Sequence, residues 1–169
     1  MYLDETGIRA LLQKALGYSQ AEQTEVLYLG TENSLTRFAN NHIHQNVAES
    51  DGEVRVRAVI NKKIGVASTN RLDDESLRRV TEQALEIARI QPENPEFHSL
   101  PEPQPIIPAP SYNERTAQFT PEERAHNVGI IVKLAKEHGL EAAGAFSTGT
   151  QYTAIANSLG IFAYEPRTE

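Results

Sequence analysis

Residues Leu35–Thr69 read LTRFANNHIHQNVAESDGEVRVRAVINKKIGVAST, and this stretch decides the fold. Val54, Val56, Ala58 and Ile60 alternate with Arg55, Arg57 and Val59, and Ile64 and Val66 resume the pattern after a short break. Alternation with a period of two puts one set of side chains on a buried face and the other in solvent, as in a half-buried strand. The stretch is expected to be an antiparallel meander.

Working outward, further strands are expected over Thr24–Gly30, Ser34–Asn40, Ile43–Glu49, Glu53–Asn61 and Ile64–Thr69. The breaks are expected at Glu32-Asn33, Asn40-Asn41, Asp51-Gly52 and Asn61-Lys62. Asp51-Gly52 is the strongest hairpin signal of the four, because both residues tolerate positive φ. After the second half of the chain begins, Glu141–Thr148, Gln151–Asn157 and Ile161–Glu165 read as strands, the last two joined at Ser158-Leu159-Gly160.

Three helices are predicted. The first is capped by Asp4, with Leu3 placed to staple onto Ile8; Ile8, Leu11, Leu12 and Ala15 form its stripe and Gly17 its stop. The second runs from about Asp73, which caps it, to Ile90, with Leu72 facing Leu77 and a stripe of Leu77, Val80, Ala84, Ile87 and Ala88. The third opens on Thr120-Pro121-Glu122-Glu123, which joins an N-cap, a proline at the first helical position and a capping-box glutamate. Its stripe is Val128, Ile131, Val132 and Ala135, and Gly139 ends it.

Seven of the nine prolines fall in Pro92–Pro110, a composition incompatible with helix or central strand. An extended connector is expected there, with Phe97, Leu100, Ile106 and Ile107 lying along a surface. The chain therefore divides into a helix–sheet–helix half (1–91), a Pro-rich connector (92–119) and a helix-plus-hairpin half (120–169). Thr31, Thr36, Ala39 and Asn40 recur as Thr148, Thr153, Ala156 and Asn157, which raises an internal repeat of two-fold pseudo-symmetry. The expected class is α+β, an antiparallel sheet packed by three helices. The end at Arg167-Thr168-Glu169 carries no terminating element, so the stretch is expected to be one domain, 1–169, at the N-terminus of a longer protein.

Bulk properties narrow the function. The 169 residues include no cysteine, which excludes disulfides, thiolate metal sites and a cysteine nucleophile. No apolar run approaches transmembrane length, no N-x-Ser/Thr sequon is present, and a cytoplasmic location is the simplest expectation. The net charge of −7 argues against backbone binding of nucleic acid. The cations at Arg55/Arg57, Lys62/Lys63 and Arg78/Arg79 fit a strand face, a hairpin tip and a helix flank.

No motif for chemistry is found. His42 and His44 sit two apart, on one face of a strand, but no third metal ligand follows at a suitable spacing. His98 falls in the connector, and His126 and His138 on the third helix, where the dipole accounts for His138. No G-x-S-x-G elbow surrounds Ser147 or Ser158, and neither phosphate-binding glycine motif occurs. The acid pairs Asp73/Asp74 and Glu122/Glu123 belong to first turns of helices. The block Arg37–Val47 carries Arg37, Asn40, Asn41, His42, His44, Gln45 and Asn46. It reads either as a hairpin with Asn-Asn at its turn or as a polar surface that hydrogen-bonds an extended peptide or a partner subunit.

The segments TRFANNHIHQNV, VRVRAVINKKIGVASTNRLDDESLRRVTEQALEIAR and IANSLGIFAYEPRT, in this order, resemble the TldD/PmbA family, also called peptidase U62 or "modulator of DNA gyrase" proteins. The resemblance implies an N-terminal α+β domain followed by a β-rich C-terminal domain. Active members resemble zinc metallopeptidases with a His-Glu-x-x-x-His motif beyond the N-terminal domain; partner-type members lack it and pair with an active subunit. Their assembly is thought to hold unfolded peptides as extended strands. No His-Glu pair exists here, so no catalytic or zinc residue carries over, and active or partner type is left open. The resemblance implies zinc in the full-length protein only, and as partners a second TldD/PmbA-type subunit and unfolded peptide, with neither nucleic acid nor membrane. This chain alone is expected to be inactive. The alternative is a stand-alone protein-binding or adaptor module.

Overall fold

The computed structural model describes residues 4–169. In chain order it contains α1 (Glu5–Gly17), β1 (Gln23–Ala39), β2 (His42–Ile60), β3 (Lys63–Thr69), α2 (Asp74–Ile90), α3 (Glu114–Ala117), α4 (Pro121–Glu137), β4 (Gly144–Asn157) and β5 (Phe162–Thr168). The strands form one sheet in the order β3-β2-β1-β4-β5. The α+β class expected from the sequence is the class observed, with α3 as an additional single-turn helix where connector was expected.

Two of the four expected breaks are absent: β1 runs through Glu32-Asn33 and β2 through Asp51-Gly52. β4 likewise runs unbroken through Gly149-Thr150, where two separate strands were expected. The Asp-Gly signal misleads because Gly52 serves packing instead of a turn: a Cβ there would lie 2.9 Å from the Tyr28 hydroxyl oxygen. The true turns are Asn40-Asn41 (φ 50° and 59°) and Asn61-Lys62 (φ 47° and 60°). Two successive positive φ values match the right-handed twist of the strands they join, which makes the connection tight.

The chain forms two compact units. The first takes the residues up to Gly30, Asp51–Ala109 and Tyr152–Glu165. Its core joins Ile8, Leu12 and Ala15 of α1 and Leu77, Val80, Ala84 and Leu85 of α2 to Val26, Tyr28, Val54, Val56, Ala58, Tyr152, Ala154 and Ala156 of the strands. These strand residues alternate with half-buried or exposed ones, as the period-two reading required. Truncating Leu12 or Leu77, both fully buried, removes packing on the order of 2–5 kcal/mol. β3 pairs antiparallel with β2 only from Val54↔Thr69 to Ile60↔Lys63. The caps Asp4 and Asp73 accept from Gly7 and Ser76 amides as expected, and Leu72 packs against the core; the Leu3–Ile8 staple lies outside the described residues.

The connector is pinned at its middle. Leu100 is buried, its amide donates to Gln23 Oε1 at 2.8 Å, and Asn157 Nδ2 donates to the Pro101 carbonyl at 2.8 Å. Phe97 is half-buried, whereas Ile106 and Ile107 are exposed, so only the first part of the expected apolar lining is used.

The second unit takes Thr31–Ser50, Pro110–Gln151 and Pro166–Glu169. α4 has the predicted capping box: Glu123 N donates to Thr120 Oγ1 at 3.2 Å and Thr120 N to Glu123 Oε2 at 2.8 Å. Gly139 ends the helix at φ 66°. The expected stripe of α4 is fully buried only at Val128, with Val132 and Ala135 half-buried. Arg124 and Val128 are buried, while Ile131 joins Ile130 and Leu134 in solvent. An arginine occupies the inner face because two oxygens await it: its Nη1 donates to the Phe119 carbonyl at 2.7 Å and to Thr148 Oγ1 at 3.0 Å.

The internal echo ends a long strand in both places, but the two asparagines act differently. Asn40 supplies positive φ, whereas Asn157 accepts from the Leu159 and Ile161 amides through Oδ1.

Candidate interaction surface

The amide-rich block falls at the end of the β1–β2 hairpin, inside the second unit. Its turn is tied down by Asn41. The Asn41 amide donates to the Ala142 carbonyl at 3.2 Å, Ala142 N donates to Asn41 Oδ1 at 2.9 Å, and Asn41 Nδ2 donates to the Leu140 carbonyl at 2.9 Å. Backbone and side chain of Asn41 thus act together as a clamp on the segment after α4. Each such bond adds on the order of 1 kcal/mol, so three of them fix the hairpin end.

The neighbouring candidates also make local bonds. Thr36 Oγ1 donates to Asn46 Oδ1 at 2.6 Å, and Arg37 Nη1 reaches Gln45 Oε1 at 3.4 Å. The His42 Nδ1 lies 2.6 Å from the Asn40 carbonyl oxygen; a carbonyl only accepts, so Nδ1 carries the proton. From His42 to Ser50 every residue is exposed except the half-buried Val47, and this holds for both faces of the strand. The structure therefore brings Arg37, Asn40, Asn41, His42, His44, Gln45 and Asn46 onto one hairpin arm. It commits Asn41 to holding that arm and leaves His44 at the surface.

Among the described residues no group of three His, Asp or Glu side chains is placed to hold a metal ion. His42 spends one ring nitrogen on the Asn40 carbonyl.

A second feature escaped the sequence. A cavity of about 300 Å³ in the second unit is bounded by Glu32 and Asn33 of β1, Glu49 of β2, Thr148 and Thr150 of β4, and Phe119. Its walls combine hydroxyl, amide and carboxylate groups with Phe119 and Ala117, so it offers both hydrogen bonds and apolar contact. Gly149 was the available signal: a Cβ there would lie 2.6 Å from Asn33 Oδ1, so a larger residue would displace the Asn33 side chain. No described helix is long and apolar enough to cross a membrane.

The described residues form an open five-stranded antiparallel sheet with helices and an amide-rich hairpin arm. Residues 24–88 match the family model described as PmbA/TldA metallopeptidase domain 1. Similar folds occur in TldE from Thermococcus kodakarensis (TM-score 0.81, 20% identity, 95% of this chain and 37% of that one). A proposed modulator of a DNA gyrase from Thermotoga maritima is similar at TM-score 0.79 and 13% identity, over 95% of this chain and 37% of that one. Another such protein, from Bacteroides thetaiotaomicron, gives TM-score 0.79 and 18% identity over 99% of this chain and 40% of that one. No curated protein sequence matches. The chain is thus similar to TldD/PmbA-type proteins over residues 24–88 and in its fold, and it spans well under half the length of these solved relatives.

Proposed function

We propose that this chain is the N-terminal scaffold domain of a TldD/PmbA-type protein. It shapes a substrate channel and a subunit interface for a peptidase whose zinc site lies in the part of the relatives beyond this domain. The observation that carries this reading is the exposed, amide-bearing arm His42–Ser50 in a chain whose described residues offer no metal cluster. Extended polypeptide satisfies its main chain by pairing with a strand, and side-chain amides add donors and acceptors without demanding one sequence. On this reading the partners are an unfolded peptide and a second TldD/PmbA-type subunit, in the cytoplasm.

The test is a titration of the isotope-labelled chain with an unfolded peptide, followed by backbone amide resonances. Shifts confined to Arg37, Asn40 and His42–Asn46 are expected. Shifts confined to α1 and α2 would contradict the reading.

A further inference from the structure

β2 has nineteen residues, yet β3 pairs with it only over Val54–Ile60. Among the described residues the sheet order places no other strand on that side of β2. Among the described residues, no backbone hydrogen bond outside the sheet ladder reaches His42–Ser50. The arm therefore presents an unpaired strand edge nine residues long, on which every second residue points a main-chain donor and acceptor outward.

The other outer strands are blunted. β3 is seven residues long and opens on Lys63. β5 contains Pro166, whose carbonyl accepts from Ser111 Oγ at 3.1 Å, and its Thr168 amide donates to the Ser111 carbonyl at 3.0 Å. Short length, lysine, proline and a covering segment are the usual devices against strand addition. His42–Ser50 has no lysine, arginine or proline, so nothing in its composition opposes pairing.

We propose that the His42–Ser50 edge of β2 pairs antiparallel with the same edge of a second copy of this chain, with Val47 on the two-fold axis. This rests on the scaffold reading and specifies its subunit contact. A two-fold axis perpendicular to a sheet keeps each face on its own side, so residues of the same parity oppose each other. With Val47 opposite Val47, Asn46 faces Ala48, Gln45 faces Glu49, and His44 faces Ser50. The Val47 pair is apolar, Gln45–Glu49 and His44–Ser50 each join a donor to an acceptor, and no like charges meet. Centring the axis on Glu49 instead sets that carboxylate against itself, and parallel in-register pairing does the same. Antiparallel pairing also lays the half bearing His42 and His44 beside the half bearing Glu49.

A second copy suits this edge better than a free peptide. Fixing each residue of a disordered peptide costs roughly 1–2 kcal/mol of backbone entropy. The partner copy brings a strand already held by β1 and by the Asn41 clamp.

The chain has no cysteine, which permits a register-specific test. Directly opposed residues in antiparallel strands stand close enough for a disulfide. The Val47→Cys chain under mild oxidation is expected to form a symmetric cross-linked dimer. Its rate should exceed that of the exposed helix variant Arg78→Cys by roughly tenfold or more, through the high effective concentration in a paired complex. An equal mixture of His44→Cys and Ser50→Cys chains should cross-link as a heterodimer faster than either alone. Sedimentation of the unaltered chain should show a concentration-dependent dimer. A monomer at all concentrations, or Val47→Cys cross-linking no faster than Arg78→Cys, overturns the proposal. If the chain stays monomeric while an unfolded peptide protects His42–Ser50 amides from exchange, self-pairing fails and the scaffold reading stands. Zinc-dependent turnover by this chain would instead overturn the scaffold reading, whatever the cross-linking result.

Discussion

Gly65 of β3 lies directly beneath the Ala84 carbonyl of α2. A Cβ at residue 65 would fall inside the van der Waals envelope of that oxygen and of the Ala88 amide nitrogen, and 3.0 Å from Ala88 Cα. The obstructing atoms are backbone, so the helix itself would have to lift. Gly65→Ala is expected to cost about 3 kcal/mol or more, through displacement of α2 from the core. Urea unfolding checks this; a loss below about 1 kcal/mol would show that α2 has room to shift.

Tyr28 makes a softer version of the same demand. Its ring passes over Gly30 and Gly52, where added Cβ atoms would stand 2.8 Å and 2.9 Å from the phenol. A ring moves more readily than a helix backbone. Gly52→Ala should therefore cost less than Gly65→Ala, about 1–3 kcal/mol, and should alter the near-ultraviolet signal of tyrosine.

Two helix caps make stability depend on acid. Asp73 accepts the Ser76 amide and then the Ser76 hydroxyl, and these bonds, with Arg71 a smaller cause, hold its carboxyl below the ordinary value. Glu123 is lowered chiefly by the Thr120 amide. A depressed folded-state pKa stabilises fully above the unfolded value, near 4, and the gain disappears as pH falls through the folded value. Replacing both, as Asp73→Asn with Glu123→Gln, should lower the urea midpoint at neutral pH. The gap to the unaltered chain should narrow steadily below pH of about 4. A gap that is constant with pH would contradict the assignment.

Arg124 is a buried cation held by two neutral oxygens, with its Nε unpaired among the described residues. Arg124→Ala removes packing and orphans the Phe119 carbonyl, and roughly 2–4 kcal/mol of stability should go with it. Arg124→Met refills the volume without a charge to desolvate, so it should recover part of that loss. Equal losses in the two variants would mean that the bonds, not the packing, matter there.

The sheet and its helices were legible because their signals are local. Alternation over Val54–Val66, the Asp73 cap and the Thr120–Glu123 box act within a few residues, and each was found where expected. The misreadings share one cause. Gly52 and Gly149 looked like turn residues but answer to Tyr28 and Asn33, distant in sequence and close in space. Ile131 followed the helical period, seven residues from the buried Arg124 on the same face of α4, yet faces solvent because full burial of that face stops at Val128. The arm was visible as an amide-rich block. That Asn41 serves as a clamp was not, since its partners lie about a hundred residues later.

The most direct measurement is metal content and peptide cleavage by this purified chain on its own. After incubation with zinc and desalting, the account expects less than stoichiometric metal and no cleavage of an unfolded peptide. One tightly held zinc per chain, accompanied by turnover that a chelator abolishes, would contradict it.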